Sequence, residues 1–320
     1  MPSHARFVLA LVAALVLSAA LAACDAAGVG PHGASGAPSR GASPAVSGPR
    51  SPSGSPEATD SRGREFGFAV IGDFGSKDDA EDAVADEIRE WAGHRPLDGL
   101  VTTGDNVYES GGPEDFQEAW SGPYGWVDEG GIPLVAALGN HDIETDGGQA
   151  EMALLHMPNR WYARRIGPVE LVVLDSNDVG NEEQLAWLRD QLSAERAPWT
   201  VVVFHHPAFS CGFHPSTPTV DELWMPVFAQ AGVDLVLNGH DHNYQRFPST
   251  DGVTYVVDGA GGKDLYPASP AFCPRGTPTP ESIDDQDHLF LYLEVTRSRL
   301  AGRAVTASGE VVDSFELDGR

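Results

Sequence analysis

Lysine is nearly missing from these 320 residues, occurring only at Lys77 and Lys263, and Lys plus Arg reach 20 against 47 Asp plus Glu. The formal net charge is −27; residues 1–64 hold five Arg against Asp25, Glu57 and Asp60, which leaves −29 on the rest. An excess of that size repels polyanions, over a screening length of ~8–10 Å at ordinary salt. It argues against nucleic acid as a partner. Any phosphate substrate would have to be drawn in by a local positive centre, and Lys77 and Lys263 are the only lysines available for one; a metal cluster would supply that charge.

Long apolar runs are missing too, with one exception. Arg6 and the amino terminus precede an apolar stretch over residues 7–23, the pattern of an export signal. The stretch falls slightly short of the ~20 residues that span a bilayer. Leu21-Ala22-Ala23-Cys24 fits the box after which bacterial lipoproteins are cut, which would leave Cys24 as an acylated first residue; several acyl chains together anchor firmly where one holds marginally. An ordinary cleaved signal and a short membrane helix compete with that reading. The expected location is extracytoplasmic, with export followed by lipid anchoring through Cys24 to a bacterial cell membrane. Cysteine is scarce, three in all. Cys24 aside, Cys211 and Cys273 remain, either as a disulfide or as two thiols, in a compartment that permits oxidation.

Residues 25–64 are almost wholly Gly, Ala, Ser and Pro with scattered charge, and hold too little apolar surface to offset the entropy of ordering. They read as a tether with an end-to-end distance of roughly 35 Å. The division is thus a signal over 1–23, a tether over 24–64 and a folded domain over 65–320, a size that one large α/β domain fills.

Within that domain one local design recurs: a short run rich in Val, Leu and Ile stops at Gly, Asp, Asn or His. Residues 68–71 run into Gly72-Asp73-Phe74-Gly75, 100–101 lead to Gly104-Asp105-Asn106-Val107-Tyr108, and 134–138 lead to Gly139-Asn140-His141-Asp142. Residues 201–204 end at His205-His206-Pro207, and 235–237 at Asn238-Gly239-His240-Asp241-His242. Apolar spacing predicts helices over 79–91, 182–192 and 220–231. Such alternation suits a sheet covered on both faces, whose ligands bind beyond the carboxyl ends of the strands. Past His242, strands are predicted at 253–258, 289–296, 300–306 and 311–317, read as a second, largely antiparallel sheet stacked on the first. Residues 263–288, rich in Pro, Asp and Gly, are expected to form a long surface loop.

Singly, each motif is weak. A Gly-Asp turn after a strand is common, and a His at a strand end is more often a hydrogen-bonded structural residue. Asp73-Phe74-Gly75 alone matches a kinase signature, which the missing Gly-rich and catalytic loops argue against. The order carries the information: two Asp, a Tyr three residues after the second, an Asn-His, a His and a His-x-His, all at successive strand ends.

Together these motifs resemble the five blocks of the purple acid phosphatases, within the calcineurin-like metallophosphoesterases. The likeness to the small, tartrate-resistant type rests on Gly104-Asp105-Asn106-Val107-Tyr108, Asn159-Arg160-Trp161, Gly239-His240-Asp241-His242-Asn243 and Asp258-Gly259-Ala260-Gly261. It covers nearly all of residues 66–318. The resemblance implies an α/β fold, a four-layer αββα sandwich of two mixed sheets flanked by helices. It also implies a dinuclear centre that hydrolyses phosphate monoesters through a metal-bound hydroxide. One metal would be held by Asp73, Tyr108 and His242 and the other by Asn140, His205 and His240, with Asp105 bridging them.

The donor types agree with that division. A phenolate is a hard, anionic donor that matches Fe3+, and Gly75 stands where the wider superfamily carries a His; two imidazoles and an amide oxygen suit Fe2+, Zn2+ or Mn2+. By their matching positions His141 and His214 are the candidates to protonate the departing alkoxide. A trivalent ion lowers the pKa of bound water, so an acidic optimum is expected. His206 matches no family ligand and reads as an orienting or packing residue; His94, His156 and His288 read as structural or solvent-facing. Two readings compete: a phosphodiesterase or nucleotidase on the same metals, and a surface lipoprotein that keeps the fold as a metal-binding module without turnover. The second is weakened because no ligand is missing. Loops 143–160 and 210–220 carry no signature that selects among esters.

Overall fold

The computed structural model describes residues 63–194 and 196–319. The export signal, Cys24 and nearly all of the tether lie outside the described residues. The domain opens with β1 (Phe66–Ile71), α1 (Asp79–Ala92) and β2 (Gly99–Thr102), and continues through α2 (Gly122–Glu129) to β3 (Leu134–Ala136). Asp78 caps α1, its carboxylate accepting the N–H groups of Ala80 and Glu81, while Val84, Ala85 and Ile88 form the face that the helix buries. β1, β2 and β3 run parallel.

After the short α3 (Gln149–Leu154), a hairpin of β4 (Tyr162–Ile166) and β5 (Val169–Val173) starts another sheet. That sheet grows through α4 (Glu182–Ser193), β6 (Trp199–Val203), α5 (Pro218–Leu223), α6 (Met225–Ala231) and β7 (Leu235–Asn238). β8 (Tyr244–Thr250), β9 (Val253–Asp258) and β10 (Ser282–Asp284) complete it in the order β10-β8-β9-β7-β6-β5-β4. The chain then returns to the first sheet with β11 (Leu289–Val295), β12 (Arg299–Thr306) and β13 (Val311–Asp318), giving β13-β12-β11-β1-β2-β3.

Both sheets are therefore mixed, and helices flank them. Alternation along the strands separates two cores, because successive side chains point to opposite faces. Val201 and Val203 of β6 and Leu235 and Leu237 of β7 join Val70, Leu100 and Leu291 of the other sheet in one cluster. Val202 and Val236 face the other way, packing with Leu188 of α4, Val220 of α5 and Phe228 of α6. Each such side chain contributes ~1.5–3 kcal/mol by leaving water.

Three sequence expectations change. Residues 289–296, 300–306 and 311–317 do not build a sheet of their own: β11 pairs antiparallel with β1, with Phe66 opposite Val295, and so completes the first sheet. Residues 253–258 form β9, a parallel neighbour of β7 in the second sheet. Strand pairing across that separation leaves no local pattern to read. The helix expected over 220–231 breaks at Trp224, where the ring of Pro226 enters the first turn of α6 and removes a backbone donor. Residues 263–288 are the expected loop apart from β10 and one helical turn at Pro270–Phe272. A Cys211–Cys273 disulfide pins that loop to the segment after β6; with the cysteines 62 positions apart in sequence, the closure is worth about 4 kcal/mol by chain entropy.

Candidate metal centre

Each motif leaves a parallel strand and turns at once. Asp73 follows β1, Asp105 follows β2, Asn140 follows β3, His205 follows β6, and His240 and His242 follow β7. Asp73, Asp105 and His240 take positive φ angles of 55°, 51° and 71°, a region that L-residues occupy at a cost of about 1–3 kcal/mol. Hydrogen bonds hold them there. The His240 N–H donates to Asp73 Oδ2 at 2.8 Å and the His141 N–H to Asp105 Oδ1 at 3.0 Å. Glycine lets these turns crowd together: a Cβ on Gly139 would stand 2.0 Å from Asp105 Oδ1.

The result brings donor atoms from all seven expected ligands into one chain of contacts centred on Asp105. The Tyr108 hydroxyl lies 2.9 Å from Asp105 Oδ2, 3.3 Å from Asp73 Oδ1 and 3.2 Å from His242 Nε2. On the other side, His205 Nε2 lies 3.4 Å from Asp105 Oδ2, 3.2 Å from Asn140 Oδ1 and 3.1 Å from His240 Nδ1. Asp105, His205 and His240 offer ligand atoms within 4.8 Å of one another, enough for one metal ion.

Outer contacts orient the imidazoles. His205 Nδ1 is 3.1 Å from the Thr103 carbonyl and His242 Nδ1 is 2.9 Å from the Asp264 carbonyl. A ring whose Nδ1–H donates to a carbonyl turns Nε2 inward, the nitrogen that binds a metal once a cation displaces any proton on it. His206 bonds Ser176 Oγ through Nδ1 at 2.9 Å and packs its ring 4.4 Å from that of His240, the orienting role the sequence suggests for it.

The site's electrostatics call for a cation. Asp73 is fully buried, and burial raises its pKa well above the carboxylate range. Burial would raise Asp105 as well, but the His205 imidazole outweighs it and holds Asp105 below its ordinary value. Burial opposes a charge on His205 too, yet Asp105 and then Asp73 push it up to about 9. One proton on His205 thus stands in for positive charge among buried carboxylates. His242 is pushed down to about 4 by burial, and His240 falls further through burial and its neighbour His205. Both rings are neutral, the state in which imidazole binds a metal. Oxygen and nitrogen donors in this proportion, with a charge deficit among them, fit hard or borderline cations.

His141 and His214 each stand against a ring of this cluster. The His141 ring lies 4.6 Å from the Tyr108 ring and its Nδ1 is 2.5 Å from the Glu109 carbonyl. The His214 ring lies 4.1 Å from that of His240, and its N–H donates to Asp241 Oδ1 at 3.2 Å.

Several residues that shape the site were not singled out from the sequence. Asp142 accepts the N–H groups of Asn106, Val107 and Gly139 at 2.8, 3.3 and 2.7 Å, and so ties the turn after β2 to the turn after β3. The Asn106 amide spans Asp142 Oδ2 and Glu151 Oε1 at 2.9 and 3.0 Å. Lys263 donates its backbone N–H to the Asp73 carbonyl and holds its ammonium 4.5 Å above the Tyr108 ring, 2.5 Å from Glu109 Oε1. The rarity of lysine was the one sequence signal that pointed to Lys263.

Known proteins are similar to this chain in sequence and in fold. Residues 66–244, more than half of the chain, match the family described as calcineurin-like phosphoesterase. Purple acid phosphatase 17 of Arabidopsis thaliana is 29% identical over 231 residues, covering 61% of this chain and 68% of its own length. Tartrate-resistant acid phosphatase type 5 of Homo sapiens is 26% identical over 308 residues, covering 83% of this chain and 94% of its own. Among solved structures, a purple acid phosphatase from yellow lupin (Lupinus luteus) seeds matches with a TM-score of 0.69 at 19% identity, over 80% of this chain and 54% of that one. GAP50, the anchor in the inner membrane complex of Plasmodium, matches at 0.68 and 19% identity, over 80% and 89%. The solved structures share the fold, and the matched family segment contains every motif from Asp73 to His242: the chain belongs to the calcineurin-like phosphoesterases.

Proposed function

We propose that this chain is an exported, lipid-anchored acid phosphatase that hydrolyses phosphate monoesters at a dinuclear metal site. The observation that carries the reading is Asp105 Oδ2, which stands 2.9 Å from the Tyr108 hydroxyl on one side and 3.4 Å from His205 Nε2 on the other. A carboxylate shared between two donor groups is what a two-metal site requires of its bridge. In this reading Asp73, Tyr108 and His242 hold Fe3+, Asn140, His205 and His240 hold Fe2+, Zn2+ or Mn2+, and Asp105 serves both. When bound, the two cations supply Lewis acidity and charge neutralisation for in-line displacement at phosphorus.

The remaining work falls to the chain's own side chains. His141 is anchored through its backbone N–H to Asp105 and through Nδ1 to the Glu109 carbonyl, so its ring has a fixed aim. His214 is fixed through Asp241. A positioned imidazole that delivers a proton to a leaving oxygen contributes about 100- to 10,000-fold. The names of the relatives, acid phosphatases of the tartrate-resistant and purple types, support monoester hydrolysis. Attachment through Cys24 rests on the sequence pattern alone.

The test is elemental analysis and a visible spectrum of the purified chain, together with rates on 4-nitrophenyl phosphate and bis(4-nitrophenyl) phosphate from about pH 4 to about pH 9. Two metal ions per chain are expected, with a violet phenolate–iron band that Tyr108→Phe abolishes and faster monoester hydrolysis on the acid side. A single metal ion in fully active protein, a flat pH profile, or a preference for the diester would overturn the proposal.

A further inference from the structure

Four cations among the described residues lie over an aromatic ring: Arg64 over Phe66, Arg95 over Trp91, Arg246 over Phe315 and Lys263 over Tyr108. Only the last of these rings carries a donor atom of the metal centre. The Lys263 ammonium stands 4.5 Å from the centre of the Tyr108 ring and 2.5 Å from Glu109 Oε1.

The main chain fixes that position. Residues 261–266 lie along the turn after β1: the Gly261 N–H donates to the Gly72 carbonyl at 3.0 Å and the Lys263 N–H to the Asp73 carbonyl at 2.9 Å. Gly262 lets the two backbones close up, since a Cβ there would stand 2.6 Å from the Phe74 carbonyl oxygen. The segment then reaches His242, whose Nδ1 lies 2.9 Å from the Asp264 carbonyl and whose own carbonyl accepts the Tyr266 N–H at 2.8 Å. One short strap thus touches Asp73, Tyr108 and His242, the three donors assigned to Fe3+ above. The two ends of the ion pair are unequal, because the Lys263 side chain is 24% exposed and that of Glu109 is 74% exposed. Water screens the carboxylate more than the ammonium, so the pair leaves a net positive field on the ring beneath it.

We infer that Lys263 is a positioning residue that tunes the Tyr108 donor: its ammonium, over the π face, draws phenolate charge away from the bond to the metal. The inference rests on the phosphatase reading above and on its assignment of Tyr108 to Fe3+. An ammonium is attracted to the face of an aromatic ring, and the full negative charge of a phenolate adds a Coulomb attraction to it. A phenolate held in that way gives less charge to the ion it binds, which leaves that ion the stronger Lewis acid toward a phosphoryl oxygen. Removing the cation raises the energy of the ring's electrons, and a phenolate-to-iron band then moves to longer wavelength. A strap that served only to hold the turn in place would not move the band when one cation is exchanged for another.

The test is the visible spectrum of the full-length, metal-loaded protein, with iron counted per chain in every sample. Lys263→Met is expected to shift the violet band by about 10–30 nm to longer wavelength at unchanged iron content, the scale of one cation–ring contact. Lys263→Arg, which keeps the charge, should hold the band within about 5 nm of the wild type. A band that Lys263→Met leaves in place, or moves to shorter wavelength, overturns the inference and leaves the phosphatase reading standing. So does a Lys263→Arg shift as large as that of Lys263→Met, because the shape of the side chain and not its charge would then be the cause. Absence of a violet band from the wild type removes both. Should Lys263→Met fail to fold or to hold iron, Glu109→Gln decides: with its counter-charge gone, the ammonium is expected to move the band to shorter wavelength, and an unmoved band overturns the inference.

Discussion

At the scale of single residues, the molecule keeps buried carboxyls close to its site, and not all of them serve it. Glu81 in α1 is 1% exposed, accepts the Lys77 N–H at 2.6 Å through Oε2, and has no hydrogen-bond partner for Oε1. Burial pushes its pKa up to about 9 from 4.5. The folded state therefore keeps a proton that the unfolded chain releases above about pH 4.5, and stability falls as pH rises through that window toward 9. Glu81→Gln, neutral at every pH, should flatten this slope. Urea unfolding at pH 5 and pH 8 is expected to show the variant gaining about 1–2 kcal/mol on the wild type between the two pH values. An unchanged slope would mean that Glu81 is ionised in the folded protein. Nothing around Glu81 in the sequence announces this, because Lys77, Glu81 and Asp82 read as an ordinary solvated helix start. The candidate donors stand out in the sequence for the opposite reason: each lies next to a strand end within a short motif, so a local pattern marks it.

At the scale of elements, the site depends on turns that are braced against each other more than on the strands that deliver them. Asp142 is the brace between the turns after β2 and β3, and Asp142→Ala would strand the Asn106, Val107 and Gly139 N–H groups in a buried environment. Leaving several buried donors unpaired costs about 3–5 kcal/mol in all. Because Asp105, Tyr108 and Asn140 ride on those turns, metal content should fall together with the unfolding midpoint. Full metal occupancy with a lowered midpoint would show that the turns hold their shape without the brace. Strands rich in Val and Leu were read from sequence to within a residue or two, as at β7 and β9. The hairpin of β4 and β5 was missed, since Arg164, Arg165 and Glu170 interrupt its apolar alternation. β8 was missed because Gln245, Arg246 and Pro248 break its pattern.

At the scale of the whole molecule, two interleaved sheets were partly hidden because the pairing of β1 with β11 joins residues from opposite ends of the domain. Net charge, by contrast, is fully legible in the sequence, and it makes a prediction about rates. The folded part carries −29. Its two lysines spend their charge on neighbours, Lys77 on Asp115 at 2.8 Å and Lys263 on Glu109 at 2.5 Å. A phosphate dianion therefore approaches through a repulsive field before it meets the local positive charge of the metal centre. The reach of that field shrinks from ~30 Å at 0.01 M salt to ~10 Å at 0.1 M. Added sodium chloride should then raise kcat/KM for an anionic monoester by about twofold to fivefold over this range and leave kcat nearly unchanged, since only the encounter is affected. Glu109→Gln, which removes one exposed negative charge and frees the Lys263 ammonium, should raise kcat/KM at low salt and blunt the salt response. A kcat/KM that falls with salt would mean that the cations of the site dominate the field out to the distance from which substrate is captured, and the acidic surface would then have no part in setting the rate of encounter.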